Sequence, residues 1–333
     1  MQDRDYAIVV GINRYPLLKK DLEGSVKDAE AFGEWLVGTG EVPAKNVKAI
    51  LSETPPKPGD RPVLDEIDKA FADLFKQTKA APARRLYCYF AGHGCSAAAN
   101  HLALLMANAE KEFLDRAMNA SEYHDRLAKQ PLFKEQIIFY DCCRNYDERV
   151  TGRGPEWTRG KPPAGTEDIK QFVMFAAAFT QYANEKKIDY SDRRGLFTKA
   201  LIEGLNGEAA TRVDGSWVVT TTSLIPYVTK RLEELAKPFH LRQRPSVGTA
   251  AELVIAPVKP NPQTVTVSVP GAADGVFVIA KNDKLKEIDR AAVQGGVAKF
   301  SLVFAMYSFV LADDSTRART VSFDPGGPST FEI

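Results

Sequence analysis

The sequence predicts an α/β domain with a mainly parallel sheet and helices on both faces, followed by a small all-β sandwich. The main observation is that short apolar runs of strand length alternate with longer segments of helical period, an order typical of parallel sheets. A second observation is that residues 256–262 are dense in proline, and a third is that only strand-like patterns follow. We therefore expect domains at 1–256 and 263–333, joined by a proline-rich linker at 257–262.

The predicted strands of the first domain are short apolar runs. Residues 6–12 form the clearest one, since this run is continuous and rich in β-branched side chains, as expected of a strand buried on both faces. The other strands are expected at residues 47–51, 85–91, 136–141, 172–178 and 251–255.

Helices are predicted where apolar residues recur every three or four positions. Val26, Phe32 and Leu36 follow this spacing and predict a helix that ends near residue 38. Further helices are expected at residues 63–75, 195–205 and 223–236. Long exposed loops are expected at residues 147–168 and 184–194, and loops of that length are usually functional or mobile.

The second domain shows strand patterns only. Its strands are expected at residues 264–269, 276–280, 304–311 and 320–323, and the first of them alternates between apolar and polar residues. We expect a small β-sandwich that has no helix and no chemistry of its own.

The composition excludes several classes of function. The 333 residues carry 44 Lys and Arg against 43 Asp and Glu, so the net charge of +1 is too small for a protein that coats nucleic acid. No apolar run approaches the roughly 20 residues that span a bilayer, and the charged start of the chain is unlike a signal peptide. Four clustered cysteines are too few for a disulfide framework, which favours a reducing, cytoplasmic location.

Two short segments at predicted strand ends carry residues that are typical of catalysis. The third predicted strand runs into Gly92, His93 and Gly94, and the fourth runs into Cys142 and Cys143. In a parallel sheet, residues beyond the carboxyl ends of neighbouring strands share one crevice. His93 and one of the cysteines are therefore expected to meet, although 50 positions separate His93 from Cys143. A thiol beside an imidazole is the minimum apparatus for acyl transfer.

The remaining histidines and cysteines are expected to be structural. A single histidine is most often structural or exposed, and we expect this of His101, His124 and His240. A buried cysteine is most often a small apolar residue of the core, as we expect for Cys88. Cys95 is closer to the predicted crevice, but its small neighbours are typical of a plain loop.

A zinc site is an alternative that the same segments allow. Its ligands would be His93, Cys95, Cys142 and Cys143. Adjacent cysteines do not easily take two tetrahedral positions, however, and the sequence contains no Cys-x-x-Cys spacing. We therefore expect no metal. Arg144 is expected to form a salt bridge in the core or to hold the loop after Cys143, without a chemical role.

The two strand-end segments together resemble the caspase and metacaspase clan of cysteine peptidases, including bacterial-type caspase homologues. The likeness consists of a strand followed by Ala-Gly-His-Gly at 91–94, then about fifty residues, then a strand followed by Asp-Cys-Cys-Arg at 141–144. Other stretches agree with the family, namely residues 6–12, 22–29 and 195–201. The likeness covers about residues 5–256 and implies a caspase-like fold there.

By this resemblance, the nucleophile is the cysteine directly before Arg144, hence Cys143. Side-chain alternation supports the choice, because only one of Cys142 and Cys143 is expected to face the crevice. The resemblance also implies that His93 is the general acid and base. The backbone N–H groups of Gly94 and Cys143 would then form an oxyanion hole, worth roughly 3–4 kcal/mol per donor.

The substrate side chain before the cleaved bond, P1, is expected to be basic. Where caspases that cut after aspartate carry glutamine, this chain carries Asp141, which would repel an acidic P1 and attract Arg or Lys. Metacaspase-like relatives pair such an acid with a second one, which maps onto Asp28. Both acids have a structural alternative: Ser25 and Asp28 have the spacing of a helix capping box, and Asp141 would serve as a structural acid at a strand end.

The sequence therefore predicts a cysteine endopeptidase that cuts proteins or peptides after Arg or Lys through a Cys-His dyad. The loop at 147–168 contains candidate processing sites, where cleavage by the protein itself, by an activating protease or with a partner protein would parallel caspase-like enzymes. These sites are Arg149, Arg153, Arg159 and Lys161. A solvated loop is also naturally rich in charge. No cofactor is expected; calcium stimulates some metacaspase-like enzymes, but no acidic loop supports it here.

Two other functions stay open. The first is a catalytically silent caspase-fold protein that binds or scaffolds partners, although the presence of both His93 and Cys143 argues against it. The second is a Cys-His hydrolase or acyltransferase that acts on a non-peptide thioester or amide. Neither nucleic acid nor a membrane is an expected partner.

Overall fold

The structure is a computed structural model that describes residues 4–52, 61–79, 83–157, 168–189, 192–259, 262–323 and 327–333. The chain forms two compact units. The first consists of Met1–Asn206 and Val219–Pro257, and the second consists of Gly207–Val218 and Val258–Ile333. The second unit is therefore built from two separate stretches of chain.

The chain up to Pro257 contains both helices and strands. The helices are α1 (Ser25–Val37), α2 (Leu64–Thr78), α3 (Ala120–Leu127), α4 (Leu196–Glu203) and α5 (Thr221–Ala236), with short 3₁₀ turns at Ala44–Asn46 and Lys237–Phe239. The strands are β1 (Asp5–Gly11), β2 (Val47–Leu51), β3 (Ala83–Ala91), β4 (Gly94–Ser96), β5 (Ala103–Leu105), β6 (Ala117–Asn119), β7 (Phe133–Asp141), β8 (Asn145–Tyr146), β9 (Lys170–Phe175), β10 (Glu185–Asp189), β11 (Asp192–Gly195), β12 (Ala210–Val213), β13 (Ser216–Thr220), β14 (Ser246–Ala250) and β15 (Val254–Pro257).

Helix α1 forms because its apolar residues repeat at helical spacing. Val26, Phe32 and Leu36 are buried on one side of it. The helix ends where the N–H of Gly38 donates to the carbonyl of Glu34 at 2.9 Å, as the sequence predicts. One helix therefore presents a continuous apolar face to the sheet.

The central sheet has six strands in the order β14-β9-β7-β3-β1-β2. Neighbours from β9 to β2 are parallel, and only β14, at one edge, runs antiparallel to its neighbour. The prediction of a mainly parallel sheet is confirmed.

Helices cover both faces of this sheet. On one face, the ring of Tyr89 in β3 stacks on Phe32 of α1 with a centroid distance of 4.8 Å. On the other face, Cys88 and Phe90 share a core cluster with Phe71 of α2. Successive residues of β3 thus point to opposite helix layers, which explains why the strand is apolar from Leu86 to Ala91.

The parallel register brings three strand ends to the same level. Gly11 of β1 pairs with Ala91 of β3, which in turn pairs with Asp141 of β7. The N–H of Gly92 then donates to the carbonyl of Asp141 at 3.3 Å. Beyond the sheet, β4 pairs with β8, with Cys95 opposite Asn145. The two segments that follow β3 and β7 are therefore held side by side.

Some elements differ from the sequence-based expectation. The edge strand of the central sheet is β14, followed by β15, in place of one strand at 251–255. Residues 184–194 were expected to be a loop but mostly form the hairpin β10–β11. The prediction missed both because residues 184–194 and 246–250 are mostly polar or small, so neither stretch shows a continuous apolar run.

The second unit is an all-β sandwich, as predicted. Its later strands are β16 (Gln263–Ser268), β17 (Phe277–Lys281), β18 (Glu287–Ala292), β19 (Val297–Leu302), β20 (Ala305–Leu311), β21 (Ala318–Phe323) and β22 (Thr330–Glu332). They form one sheet in the order β19-β16-β22 and another in the order β18-β17-β20-β21. Phe300 of the first sheet packs on Phe309 of the second, with ring centroids 5.2 Å apart. None of the helices in the described part of the chain is both long enough and apolar enough to cross a bilayer.

Candidate active site

A cavity of about 260 Å³ lies at the carboxyl ends of β3 and β7, within the first unit. The start of α1 and the hairpin β10–β11 complete its walls. Its lining includes His93, Cys143, Asp28, Asp141, Glu185 and Gly195. The structure therefore brings both strand-end segments and both predicted substrate acids to one cavity.

The imidazole of His93 is held by two neighbours. The backbone N–H of His93 donates to the hydroxyl of Tyr15 at 2.8 Å, and the two rings lie 4.6 Å apart. Nε2 lies 2.6 Å from the carbonyl oxygen of Lys20. A carbonyl only accepts hydrogen bonds, so Nε2 carries the proton and Nδ1 carries the lone pair. Burial lowers the pKa of His93, which keeps the ring neutral and able to accept a proton near pH 7.

Cys143 is half-buried and follows β7 by two residues. Its thiol donates weakly to the carbonyl of Ala183, with 3.5 Å between Sγ and the oxygen. Burial raises the pKa of Cys143 above its ordinary value, so the resting group is a thiol. A reaction at this sulfur therefore needs a base.

Cys142 also contributes to the lining of the cavity, but its side chain is 2% exposed and belongs to the core cluster that contains Ile138 and Tyr140. Side-chain alternation therefore continues from β7 to Cys142, and Cys143 is the half-buried one of the two cysteines. A Cβ atom on Gly94 would lie 2.7 Å from the sulfur of Cys142 and 2.7 Å from the carbonyl oxygen of Cys143. Glycine at position 94 thus permits the close approach of the two segments. The oxyanion role of Gly94 and Cys143 stays a prediction.

Asp28 and Asp141 come from different elements and meet at Gly195. A Cβ atom on Gly195 would lie 2.8 Å from Asp28 Oδ2 and 2.7 Å from Asp141 Oδ2. Burial, followed by the charge of Asp141, raises the pKa of Asp28. Burial likewise raises the pKa of Asp141, against the hydrogen bond from Thr198. Asp28 and Asp141 are therefore two neighbouring buried acids whose pKa values are both raised.

The side chain of Asp28 points toward the hairpin β10–β11 instead of capping its own helix. The N-cap residue of α1 is Gly24, which has no capping side chain, and the N–H of Val26 in the first turn donates to Oδ1 of Asn13 at 3.1 Å. Asp28 Oδ1 accepts from Nε of Arg194 at 2.7 Å, and Oδ2 accepts from the N–H of Gly195 at 2.7 Å. The capping-box alternative is therefore not seen.

Glu185 is a third acid of the cavity, and the sequence analysis missed it. Its carboxylate accepts from the N–H groups of Glu23 at 3.2 Å and Gly24 at 3.1 Å, just before α1. A single acidic residue in a polar segment does not by itself indicate a functional site. Only the pairing of β10 with β11 brings Glu185 to the cavity.

Neither Arg149 nor Arg153 lines the cavity. The guanidinium of Arg149 bonds to Asp147 at 2.8 Å with 69% of the side chain exposed, and that of Arg153 bonds to Asp65 at 2.7 Å with 53% exposed. The other two candidate processing sites, Arg159 and Lys161, lie outside the described residues.

Arg144 is buried and holds the loop that follows Cys143. Its guanidinium bonds to the hydroxyls of Ser96 at 3.4 Å and Ser246 at 3.2 Å. It also lies 4.6 Å from the ring centroid of Phe175. These contacts give Arg144 a structural place beneath the cavity.

The chain is similar to several known proteins. A peptidase family profile described as the caspase domain matches residues 4–251. A protein of a Desulfuromonadales bacterium, described as a probable protease, is 29% identical over 245 residues, which cover 68% of this chain and 29% of that protein. The chain thus spans less than a third of this relative. Caspase-1 of Spodoptera frugiperda aligns with a TM-score of 0.47 and 14% identity over 78% of this chain and 92% of that one. From the match to the family profile, the chain belongs to the caspase domain family of peptidases.

Proposed function

We propose that the protein is a cysteine endopeptidase that cuts polypeptides after Arg or Lys. The observation that carries this proposal is the cavity that contains His93 and Cys143 together with the acids Asp28, Asp141 and Glu185. A thiol and an imidazole suit acyl transfer, and buried acids suit a cationic P1 side chain. The family membership of residues 4–251 supports the peptidase part of the proposal.

The proposed reaction begins with the protonated thiol of Cys143. Sγ attacks the P1 carbonyl carbon while Nδ1 of His93 accepts the thiol proton, since Nε2 already donates to the carbonyl of Lys20. That carbonyl stabilises the resulting imidazolium. The N–H groups of Gly94 and Cys143 would stabilise the oxyanion.

His93 then completes both halves of the reaction. The imidazolium protonates the departing amine, and the peptide bond breaks to leave an acyl-enzyme on Cys143. Neutral His93 next accepts a proton from water, whose oxygen attacks the thioester carbon. The product acid leaves and the thiol regains its proton.

The cavity would select the P1 side chain by charge. A guanidinium or ammonium group that enters it meets carboxylates held in a poorly solvated place, where a counter-charge has its greatest effect. An aspartate side chain would instead add a further negative charge beside Asp28 and Asp141. The proposal therefore predicts cleavage after Arg and Lys and rejection of Asp.

Fluorogenic peptides that differ only at P1, with Arg, Lys, Ala or Asp, test the proposal. We expect cleavage of the Arg and Lys peptides by the wild type and by Cys95→Ala, which removes a different half-buried thiol. Cys143→Ala and His93→Ala should reduce kcat by at least about a thousandfold, as the loss of a nucleophile or its base does in related chemistry. A preference for Asp, or full activity of Cys143→Ala, would reject the proposal.

We also propose that the loop at 147–168 is a processing site. Arg149 and Arg153 are exposed basic residues on it, of the kind that the proposed enzyme would cut. Mass spectrometry of the purified wild type should find chains cut after basic residues of this loop, and Cys143→Ala should stay intact. Cleavage of both proteins in the same way would assign the processing to a contaminating protease.

A further inference from the structure

We propose that Tyr89 and Thr198 are positioning residues that orient Asp141 and maintain its negative charge toward a basic substrate side chain. This inference rests on the proposed preference for Arg or Lys and names the residues that support it. Neither residue lines the cavity, and neither belongs to the two strand-end segments.

The two hydroxyl groups form a directed chain that ends on Asp141. Oγ1 of Thr198 donates to Oδ2 of Asp141 at 2.6 Å. The hydroxyl oxygen of Tyr89 lies 2.5 Å from the same Oγ1. A hydroxyl has one proton to donate, and Thr198 uses its proton toward Asp141. Tyr89 is therefore the donor to Thr198.

The three hydrogen-bonded side chains are shielded from water. Tyr89 and Thr198 are 0% exposed, and Asp141 is 8% exposed. The ring of Tyr89 stacks on Phe32 at an interplanar angle of 20°, which restricts its rotation. A buried hydroxyl without a hydrogen-bond partner is energetically costly. The hydroxyl of Tyr89 is therefore held to Thr198, and the hydroxyl of Thr198 is held to Asp141. The orientation of the carboxylate is thus set from behind the cavity by β3 and α4.

Charge explains why Asp141 needs this support. Burial raises the pKa of Asp141, and the nearby carboxylate of Glu185 adds to the effect. The hydrogen bond from Thr198, which Tyr89 supports, lowers it. Without this donor the acid would hold its proton to a higher pH and would present less charge to a substrate cation near pH 6.5.

Other titratable groups also surround the two acids, and a test must separate their effects. They are Asp28 on α1, Tyr89 on β3, Glu185 on β10, Arg194 on β11, and Cys142 and Cys143 after β7. All of them remain in a variant at position 198, so the ratio of variant to wild-type activity cancels the titrations that are independent of Asp141. What is left in that ratio is the effect on Asp141 and on Asp28, whose pKa depends on the charge of Asp141.

Thr198→Val, which keeps the shape and removes the hydroxyl, is the central variant. We expect KM for an Arg peptide to rise about tenfold near pH 6.5, with a smaller change in kcat, and the deficit to shrink toward pH 8.5 as Asp141 ionises. Thr198→Ser should restore the wild-type profile. Tyr89→Phe should shift the profile in the same direction by a smaller factor.

Matched controls distinguish positioning from general loss of packing. Thr229→Val removes the hydroxyl of a partly buried threonine, which bonds within α5, and Tyr123→Phe removes a tyrosine hydroxyl that bonds to Asp68. Neither should change the pH profile. A deficit of Thr198→Val that is equal at every pH, or no deficit at all, would overturn the inference.

A binding measurement separates this inference from the proposed activity. Agmatine, a small guanidinium compound, is titrated calorimetrically into Cys143→Ala with and without Thr198→Val. Affinities for agmatine are compared between the double variant and Cys143→Ala at each pH. If Thr198→Val weakens binding more at pH 6.5 than at pH 8.5, the role of Thr198 is supported even if no peptide is cut. Absence of binding, or equal binding to both proteins, overturns it, whereas failure of the wild type to cut Arg peptides rejects only the endopeptidase proposal.

Discussion

Nε of Arg194 lies 2.7 Å from Oδ1 of Asp28, across 166 positions of sequence. The side chain of Asp28 is 2% exposed and that of Arg194 is 25% exposed, so the ion pair is largely buried. The N–H of Gly195 takes the other carboxylate oxygen at 2.7 Å. This pair fastens the hairpin β10–β11 to helix α1 at the rim of the cavity.

Replacement of Arg194 by glutamine should therefore destabilise the first unit. The change leaves Asp28 buried without its cation, and we expect the free energy of unfolding to fall by about 1–3 kcal/mol. The pKa of Asp28 should rise further, so KM for Arg peptides should increase at pH 7. Urea denaturation and peptide cleavage measure the two effects.

Arg244→Gln is the matched control, because Arg244 pairs with Glu233 at the surface, where both side chains are more than half exposed. Its unfolding free energy should change by less than about 0.5 kcal/mol. Faster cleavage by Arg194→Gln would contradict our interpretation, since it would mean that Arg194 competes with the substrate for Asp28.

Asp141→Asn should make the protein more stable and less active. The folded pKa of Asp141 is raised to about 6 from 3.8, so the folded chain binds more protons than the unfolded chain between these values, and stability falls as the pH rises through them. Asparagine keeps an oxygen for the hydrogen bond from Thr198 and removes the buried charge. The variant should gain about 1–3 kcal/mol at pH 8, and the gain should vanish below pH 4.

Urea denaturation at pH 3.5, 6 and 8 measures this gain, and cleavage of an Arg peptide measures the accompanying loss of activity. A gain of the same size at all three pH values would show that the buried charge is not its cause.

Gly92→Ala should impair catalysis by displacing Tyr15. A Cβ atom at position 92 would lie 2.4 Å from the hydroxyl oxygen of Tyr15, which accepts the hydrogen bond from the N–H of His93. We expect kcat to fall at least about tenfold with a smaller change in KM, because the imidazole loses its orientation. Addition of Tyr15→Phe should recover part of the loss by removing the clashing oxygen.

The control for that clash is Gly33→Ala in α1, where nothing lies within 4 Å of the new methyl group. It should leave kcat unchanged and raise stability by about 0.5–1 kcal/mol, as alanine does in a helix. Equal losses of kcat in the two alanine variants would contradict the mechanism.

Arg144→Lys should destabilise the protein although it keeps the charge. A lysine cannot reach Ser96, Ser246 and the ring of Phe175 together, since it lacks the planar fork of guanidinium. We expect a loss of about 2–4 kcal/mol in thermal or urea denaturation. Arg61→Lys, at a mostly exposed arginine paired with Glu66, should change little.

The central sheet was predictable because its strands are buried on both faces. Residues 6–12 and 86–91 carry no charged side chain, and short runs of this kind are typical of strands buried on both faces. The parallel order then places His93 and Cys143 at neighbouring strand ends, so their meeting in one cavity follows from topology.

The rest depends on contacts that sequence patterns do not encode. Glu185 reaches the cavity through a hairpin whose residues look like any solvated loop. In the sequence, Thr198 looks like any other residue of a predicted helix. Only the packing of α4 brings it to Asp141. In each case tertiary packing, and not a periodic sequence pattern, determines where the residue lies.

The group that fixes the tautomer of His93 is the main-chain oxygen of Lys20, at 2.6 Å. Every amino acid supplies the same atom, so evolution can vary the identity of residue 20 freely while the path of the chain between Tyr15 and Leu22 is kept. Insertions or deletions in that turn, rather than point substitutions, are the changes that homologues should avoid.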